Sequence, residues 1–122
     1  MKQPTDLFKA FADATRVRLL NLLAQREHCV CEFQSILCVP QPKISRHLAY
    51  LRRSGLVQTR REGKWIYYSL TSATNAVHAS LLRCLRGCFT EITFLKQDIK
   101  RDRKTKPKNT GCCGTGTKGC HG

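Results

Sequence analysis

Apolar residues recur at helical spacing in five stretches of this chain, and a pair of strands interrupts the series. Leu7, Phe8 and Phe11 predict a first short helix. Asp13 can cap a second, in which Val17, Leu19, Leu20, Leu22 and Leu23 form a broad apolar stripe. Cys29-Val30-Cys31 reads as a brief extended segment before a short helix from about Glu32 to Leu37. Ile44, Leu48 and Leu51 then mark a helix opening near Gln41. Ser54-Gly55 ends it, because Gly takes the left-handed conformation a helix terminus needs. Leu56 to Arg61 and Lys64 to Leu70 read as two strands joined at Glu62-Gly63, an acidic-Gly turn signal. Ser72 or Thr74 caps a last, long helix from about Asn75 to Asp98, with Val77, Leu81, Leu82, Leu85, Phe89, Ile92 and Leu95 on one face. At about six turns it is expected to protrude and offer a dimer surface.

The polar positions give the pattern a direction. Between the apolar residues of the helix at 41–53, Lys43, Ser45, Arg46, His47 and Arg52 point outward, and the hairpin adds Arg60, Arg61 and Lys64. Residues 40–68 hold seven Lys or Arg against one acid, Glu62, a bias suited to duplex DNA. The expected fold class is mainly α (α+β): a winged helix-turn-helix with a two-stranded β-hairpin wing and a long C-terminal dimerisation helix. Its second helix enters the major groove while the hairpin grips flanking backbone. Side-chain chemistry then assigns roles. Arg46 can donate bidentately to guanine and Gln41 to adenine, and Ser45 and His47 can reach base edges or phosphates. Lys43, Arg52, Arg53, Arg60, Arg61 and Lys64 suit phosphates, which position the protein without reading sequence. Trp65 and Tyr67 read equally well as backbone contacts or as half-buried strand aromatics.

Charge sharpens this picture. The 122 residues carry a formal net charge of +14. Residues 1–99 alone hold fifteen Lys and Arg against seven acids, enough to attract a polyanion before any specific contact forms. No apolar run approaches the roughly 20 residues of a membrane span, and the N-terminus lacks an apolar signal core, so a cytoplasmic location without membrane attachment is expected. Composition changes sharply at Lys100, where Lys100, Arg101, Arg103, Lys104, Lys106 and Lys108 are offset only by Asp102, and Gly-rich sequence follows. The expected organisation is a DNA-binding and dimerisation domain over 1–98 and a basic, Gly/Cys-rich disordered tail over 99–122.

Eight cysteines are many for such a chain, and nothing directs it to an oxidising compartment, so metal-binding or redox-active thiols are expected. Cys29, Cys31 and Cys38 precede the recognition segment; Cys84 and Cys88 lie late in the chain; Cys112, Cys113 and Cys120 end it. Residues two apart on a regular helix point nearly opposite ways, so chelation by Cys29 and Cys31 favours a strand or a distorted helix start. Burial without function is the alternative for that pair. The three terminal thiols lie within nine residues and close a small loop at little entropic cost, and the surrounding Lys and Arg favour thiolate. Cys84 and Cys88 lie one turn apart on the same face and read either as a ligand pair or as small packing residues.

The order of motifs carries a resemblance. Asp6-Leu-Phe-Lys-Ala-Phe-Ala-Asp-Ala-Thr-Arg, Cys29-Val-Cys-Glu-Phe, Gln41-Pro-Lys-Ile-Ser-Arg-His-Leu, Ser54-Gly-Leu-Val and Arg61-Glu-Gly-Lys-Trp-Ile-Tyr-Tyr together resemble the ArsR/SmtB family of dimeric winged-helix repressors, and more closely its arsenical-resistance branch. The likeness spans about residues 5–98. It implies a homodimer that sits on an operator in double-stranded DNA overlapping its own promoter and leaves when an inducer, trivalent arsenic or antimony, binds cysteine thiolates. It also implies that Cys29 and Cys31 are ligands, and some similar repressors carry sensing thiols near the C-terminus, as Cys112, Cys113 and Cys120 would be. Three departures stand out. Gln34 occupies the place of a third Cys, Cys38 replaces the usual Gly of the tight turn, and Pro40 replaces a Ser cap. The Asp-X-His metal site that other members carry on the last helix is missing, with Ala76 two residues before His78. Other readings are a repressor sensing cadmium, lead or oxidants through the same thiols, and a non-regulatory DNA-binding protein whose thiol tail buffers metal. No Cys-His or Ser-His arrangement sits in a catalytic setting, so an enzyme is not expected.

Overall fold

The computed structural model describes residues 4–89 and 92–104. The chain runs α1 (Pro4–Phe11), α2 (Ala14–Leu23), β1 (His28–Cys29), α3 (Val30–Leu37), α4 (Gln41–Arg53), β2 (Val57–Glu62), β3 (Trp65–Leu70), α5 (Ala76–Gly87) and α6 (Thr93–Lys104). The Asp13 carboxylate accepts the Arg16 backbone N–H and caps α2 as expected, and Asn75 caps α5 in the same way through His78 N–H. Leu19, Leu20, Leu22, Phe33, Ile36, Ile44, Leu48, Leu51, Leu56 and Leu85 close one core beneath α2, α3 and α4. The fold is a winged helix.

Four features differ from the sequence reading. The sheet has three strands in the order β1-β3-β2, because the two-residue strand before α3 pairs with the wing, Cys29 opposite Tyr67 and His28 opposite Tyr68. The extended segment stops at Cys29, and Val30 already belongs to α3. The single long helix over 75–98 is two helices, α5 and α6, interrupted after Gly87. Continued straight, that helix would carry Leu95 and Asp98 out into solvent. Broken, it returns α6 to the body, where Leu95 is fully buried and the Asp98 carboxylate takes both Arg18 Nε and Nη2 at 2.8 Å. The division at 98/99 therefore falls inside α6. Arg101 donates to Ile36 O at 2.8 Å, and the buried Asp102 carboxylate lies 2.7 Å from Arg26 Nη2 and 3.1 Å from His28 Nε2. Residues 99–104 are part of the folded unit; the tail beyond them lies outside the described residues.

Cys38 resolves an open question at the tight turn. It closes α3 with φ 57° and ψ 42°, and among the described residues it is the only non-Gly residue with positive φ. A Cβ in that conformation costs about 1–2 kcal/mol. Replacing Cys38 by Gly removes this strain at the expense of a freer unfolded chain. Cys38→Gly is therefore expected to raise stability by about 0.5–1 kcal/mol, read as a higher denaturant midpoint at unchanged m-value.

Candidate nucleic-acid interface and thiol site

Helix α4 is held by its apolar face. Ile44, Leu48 and Leu51 are buried against α2 and α3, which leaves Gln41, Lys43, Ser45, Arg46, Arg52 and Arg53 exposed on the opposite side. Pro40 stands at its N-cap without a side-chain cap, and its carbonyl accepts from Lys43 and Ile44 N–H at 3.0 and 3.1 Å. Pro42 at the start of the helix is suited to a first turn whose N–H groups have no intrahelical partner.

Arg16 sets the orientation of this helix. Its Nε donates to Ala10 O and its Nη2 to Lys9 O, both at 2.9 Å, while its guanidinium lies 4.2 Å from the centre of the Tyr50 ring. One side chain thus ties the end of α1 to α4. His47 belongs to this arrangement rather than to the outward row. Half-buried, it has Nδ1 3.4 Å from Arg16 Nη1 and Nε2 3.8 Å from Asp13 Oδ2. Burial pushes the His47 pKa down, against the pull of Asp13. The Asp13 carboxyl is held low: burial would raise it, but the Arg16 N–H bond and the His47 and Arg16 charges outweigh that effect. The structure thus turns His47 back toward the body, away from the base edges assigned to it by spacing alone.

The wing is equally specific. Gly63, with φ 64°, makes the turn between β2 and β3. Arg61 and Lys64 are exposed, the latter stacked 5.7 Å above Trp65. Arg60 is already committed. Its guanidinium pairs with Glu27, donates to Glu62 Oε1 at 2.7 Å and lies over the Tyr67 ring. This hydrogen bonding holds the Glu27 carboxyl below its ordinary range and raises Arg60. Arg60 braces the wing against the body, which leaves Arg61 and Lys64 as its outward cations. Spacing alone missed the roles of Arg16 and Glu27; the one available signal was their opposite charges flanking the apolar stripe of α2.

The Cys29 and Cys31 sulfurs lie at the junction of these parts. Cys29 ends β1 and stands at the N-cap of α3, and Cys31 lies in the first turn of that helix. Their sulfurs are 3.1 Å apart, too far to be bonded to each other, and both residues are almost fully enclosed. The irregular backbone at the cap lets residues two apart bring their side chains together. Glu32 accepts the Cys29 N–H at 3.0 Å and fixes the turn. Just behind lies the polar cluster of His28, Arg26 and Asp102. Burial alone would raise the Asp102 carboxyl, but hydrogen bonds and charge from His28 and Arg26 bring it below its ordinary value. Among the described residues no group of three His, Cys, Asp or Glu side chains converges as a metal site, and Cys112, Cys113 and Cys120 lie outside them. Also among the described residues, no helix is long and apolar enough to cross a membrane.

Comparison with known proteins agrees with this geometry. Residues 13–59 match the family model of bacterial regulatory proteins described as the arsR family. The arsenic resistance transcriptional regulator ArsR1 of Pseudomonas putida is 52% identical over 68 residues, which cover 55% of this chain and 53% of that protein. The arsenical resistance operon repressor of Escherichia coli is 46% identical over 80 residues, covering 65% of this chain and 68% of its own length. The matched stretch thus spans about half the length of the Pseudomonas relative. Among solved structures, HlyU from Vibrio cholerae superposes with a TM-score of 0.62 at 37% identity, over 71% of this chain and 91% of that one.

Proposed function

The chain belongs to the arsR family of bacterial regulatory proteins, and from that premise we propose that it is a homodimeric repressor of an arsenic-resistance operon, released from operator DNA when trivalent arsenic or antimony binds its cysteine thiolates. The observation that carries this reading is the position of Cys29. Its backbone pairs with Tyr67 of the wing through β1, and it opens α3, whose Phe33, Ile36 and Leu37 pack in one core with Ile44 and Leu48 of α4. A change at one sulfur pair thereby reaches both elements that would hold DNA. Pulling Cys29 and Cys31 onto one ion alters the first turn of α3, the helix on which α4 rests. Soft thiolates suit trivalent arsenic and antimony. A third sulfur for arsenite comes in this proposal from Cys112, Cys113 or Cys120.

The DNA face consists of Gln41, Lys43, Ser45, Arg46, Arg52 and Arg53 on α4, with Arg61 and Lys64 on the wing. The dimer face in this proposal takes in Phe8, 55% exposed on α1, Ile92, 37% exposed, and the half-buried Val77 and Leu81 on α5. Such a patch on a small domain is suited to a second copy.

Two measurements test this proposal. Operator-bound protein titrated with arsenite, antimonite, cadmium and zinc is expected to dissociate with the first two; release by cadmium alone would reassign the inducer. Arg46→Ala is expected to reduce discrimination between operator and random DNA by about 1–3 kcal/mol, because a guanine loses its bidentate partner. Lys64→Ala should instead weaken both equally and lower the salt slope by about one, as one phosphate contact is lost. An unchanged specificity ratio in Arg46→Ala rules out this docking.

A further inference from the structure

Helix α5 carries thiols that the repressor reading leaves unused. Cys84 lies in its last turn and Cys88 caps it, with Cys88 N–H donating to Cys84 O at 2.9 Å. Four residues apart on a helix, the two side chains share a face. Neither thiol is in a disulfide. Cys88 is exposed and Cys84 half-buried, so the pair opens to solvent, in contrast to the enclosed Cys29 and Cys31. Burial, reinforced by Cys88, pushes the Cys84 thiol up. Among the described residues no His, Asp or Glu joins the pair to make a three-ligand set.

We infer that Cys84 and Cys88 form a second, independent binding site for a soft electrophile that is satisfied by two sulfurs, namely a monosubstituted trivalent arsenical. The valence decides the class. Arsenite has three exchangeable hydroxyls, and a two-thiol site leaves one of them unreplaced. A monosubstituted arsenical, R–As(OH)2, has two. Its two As–O bonds and the two S–H bonds break, two As–S bonds form, and the two hydroxyls leave with the two thiol protons as water; nothing is oxidised or reduced. This site does not depend on Cys29 and Cys31 or on DNA release.

Phenylarsine oxide is the probe, applied to the reduced full-length protein. In a variant in which Cys29, Cys31, Cys38, Cys112, Cys113 and Cys120 are all Ser, one equivalent per chain is expected by intact mass. Both remaining thiols should be lost to a thiol reagent, and arsenite should bind at least tenfold more weakly. Failure to bind, or arsenite binding as tightly as the organic arsenical, overturns the inference. Should the six-fold variant not fold by circular dichroism, the Cys84→Ser, Cys88→Ser double variant of the full chain decides. The inference expects it to take up one equivalent fewer than the unaltered protein, and equal uptake overturns it.

Discussion

A Cys29→Ser, Cys31→Ser protein is expected to bind its operator with near-normal affinity and to stay there when arsenite is added. Serine keeps the size of the side chain and the N-cap position of residue 29, so the fold around β1 and α3 is retained. What goes is the soft donor pair, whose sulfurs stand 3.1 Å apart at the start of the helix that supports α4. Allosteric coupling of the usual size, about 1–3 kcal/mol, lowers operator affinity about 5–150-fold when the inducer binds. In the double variant that factor is expected to fall to near one, measured by fluorescence anisotropy of labelled operator with and without arsenite. A variant with Cys112, Cys113 and Cys120 all Ser should still release, at higher arsenite concentration. Retained release in the first variant and none in the second would transfer the sensing role to the C-terminal thiols.

The largest stability effect is expected at α6. A chain stopped after Ile99 loses the Arg101 bond to Ile36 O and the Asp102 carboxylate, which leaves the enclosed His28 without the carboxylate at its Nε2. Removing one partner of a buried ion pair costs about 3–5 kcal/mol. Arg26 keeps 32% of its side chain exposed and can turn to water, so about 2–4 kcal/mol is the expected loss here. Asp102→Ala should account for most of it, and a chain stopped after Lys104 should retain the full-length denaturant midpoint. Equal midpoints for chains stopped after 99 and after 104 would show that these contacts contribute nothing.

The contrast between these regions explains what could be read from the chain. Helix α4 and the wing are specified locally: Ile44, Leu48 and Leu51 repeat within one helix, Gly55 and Gly63 take positive φ where the turns demand it, and the Glu62-Gly63 turn signal separates the strands. The break between α5 and α6 was hidden because Val77, Leu81, Leu85, Phe89, Ile92 and Leu95 keep helical spacing straight through it. What decides the break is the meeting of Asp98 with Arg18 and of Asp102 with Arg26, 80 and 76 residues away along the chain, and no local pattern encodes such pairs. Asp102 was read as the one acid in a solvated basic run; it is instead a buried anchor of that helix. His47 shows the same limit at the site itself. Its place in α4 suggests a groove contact, but Arg16 and Asp13 on the preceding segment turn it inward. Cys29 and Cys31 were legible as a pair, whereas the pairing of Cys29 with the wing was not, because a two-residue strand leaves no periodicity to detect.

The central claim, that thiol ligation and DNA binding are two faces of one equilibrium, is tested most directly by measuring the coupling from both sides. Operator affinity is determined with and without saturating arsenite, and arsenite affinity with and without saturating operator, at one salt concentration. The two ratios are predicted to be equal and well above one. An arsenite affinity that does not change when operator is bound would contradict the account and leave a DNA-binding protein whose thiols merely hold metal.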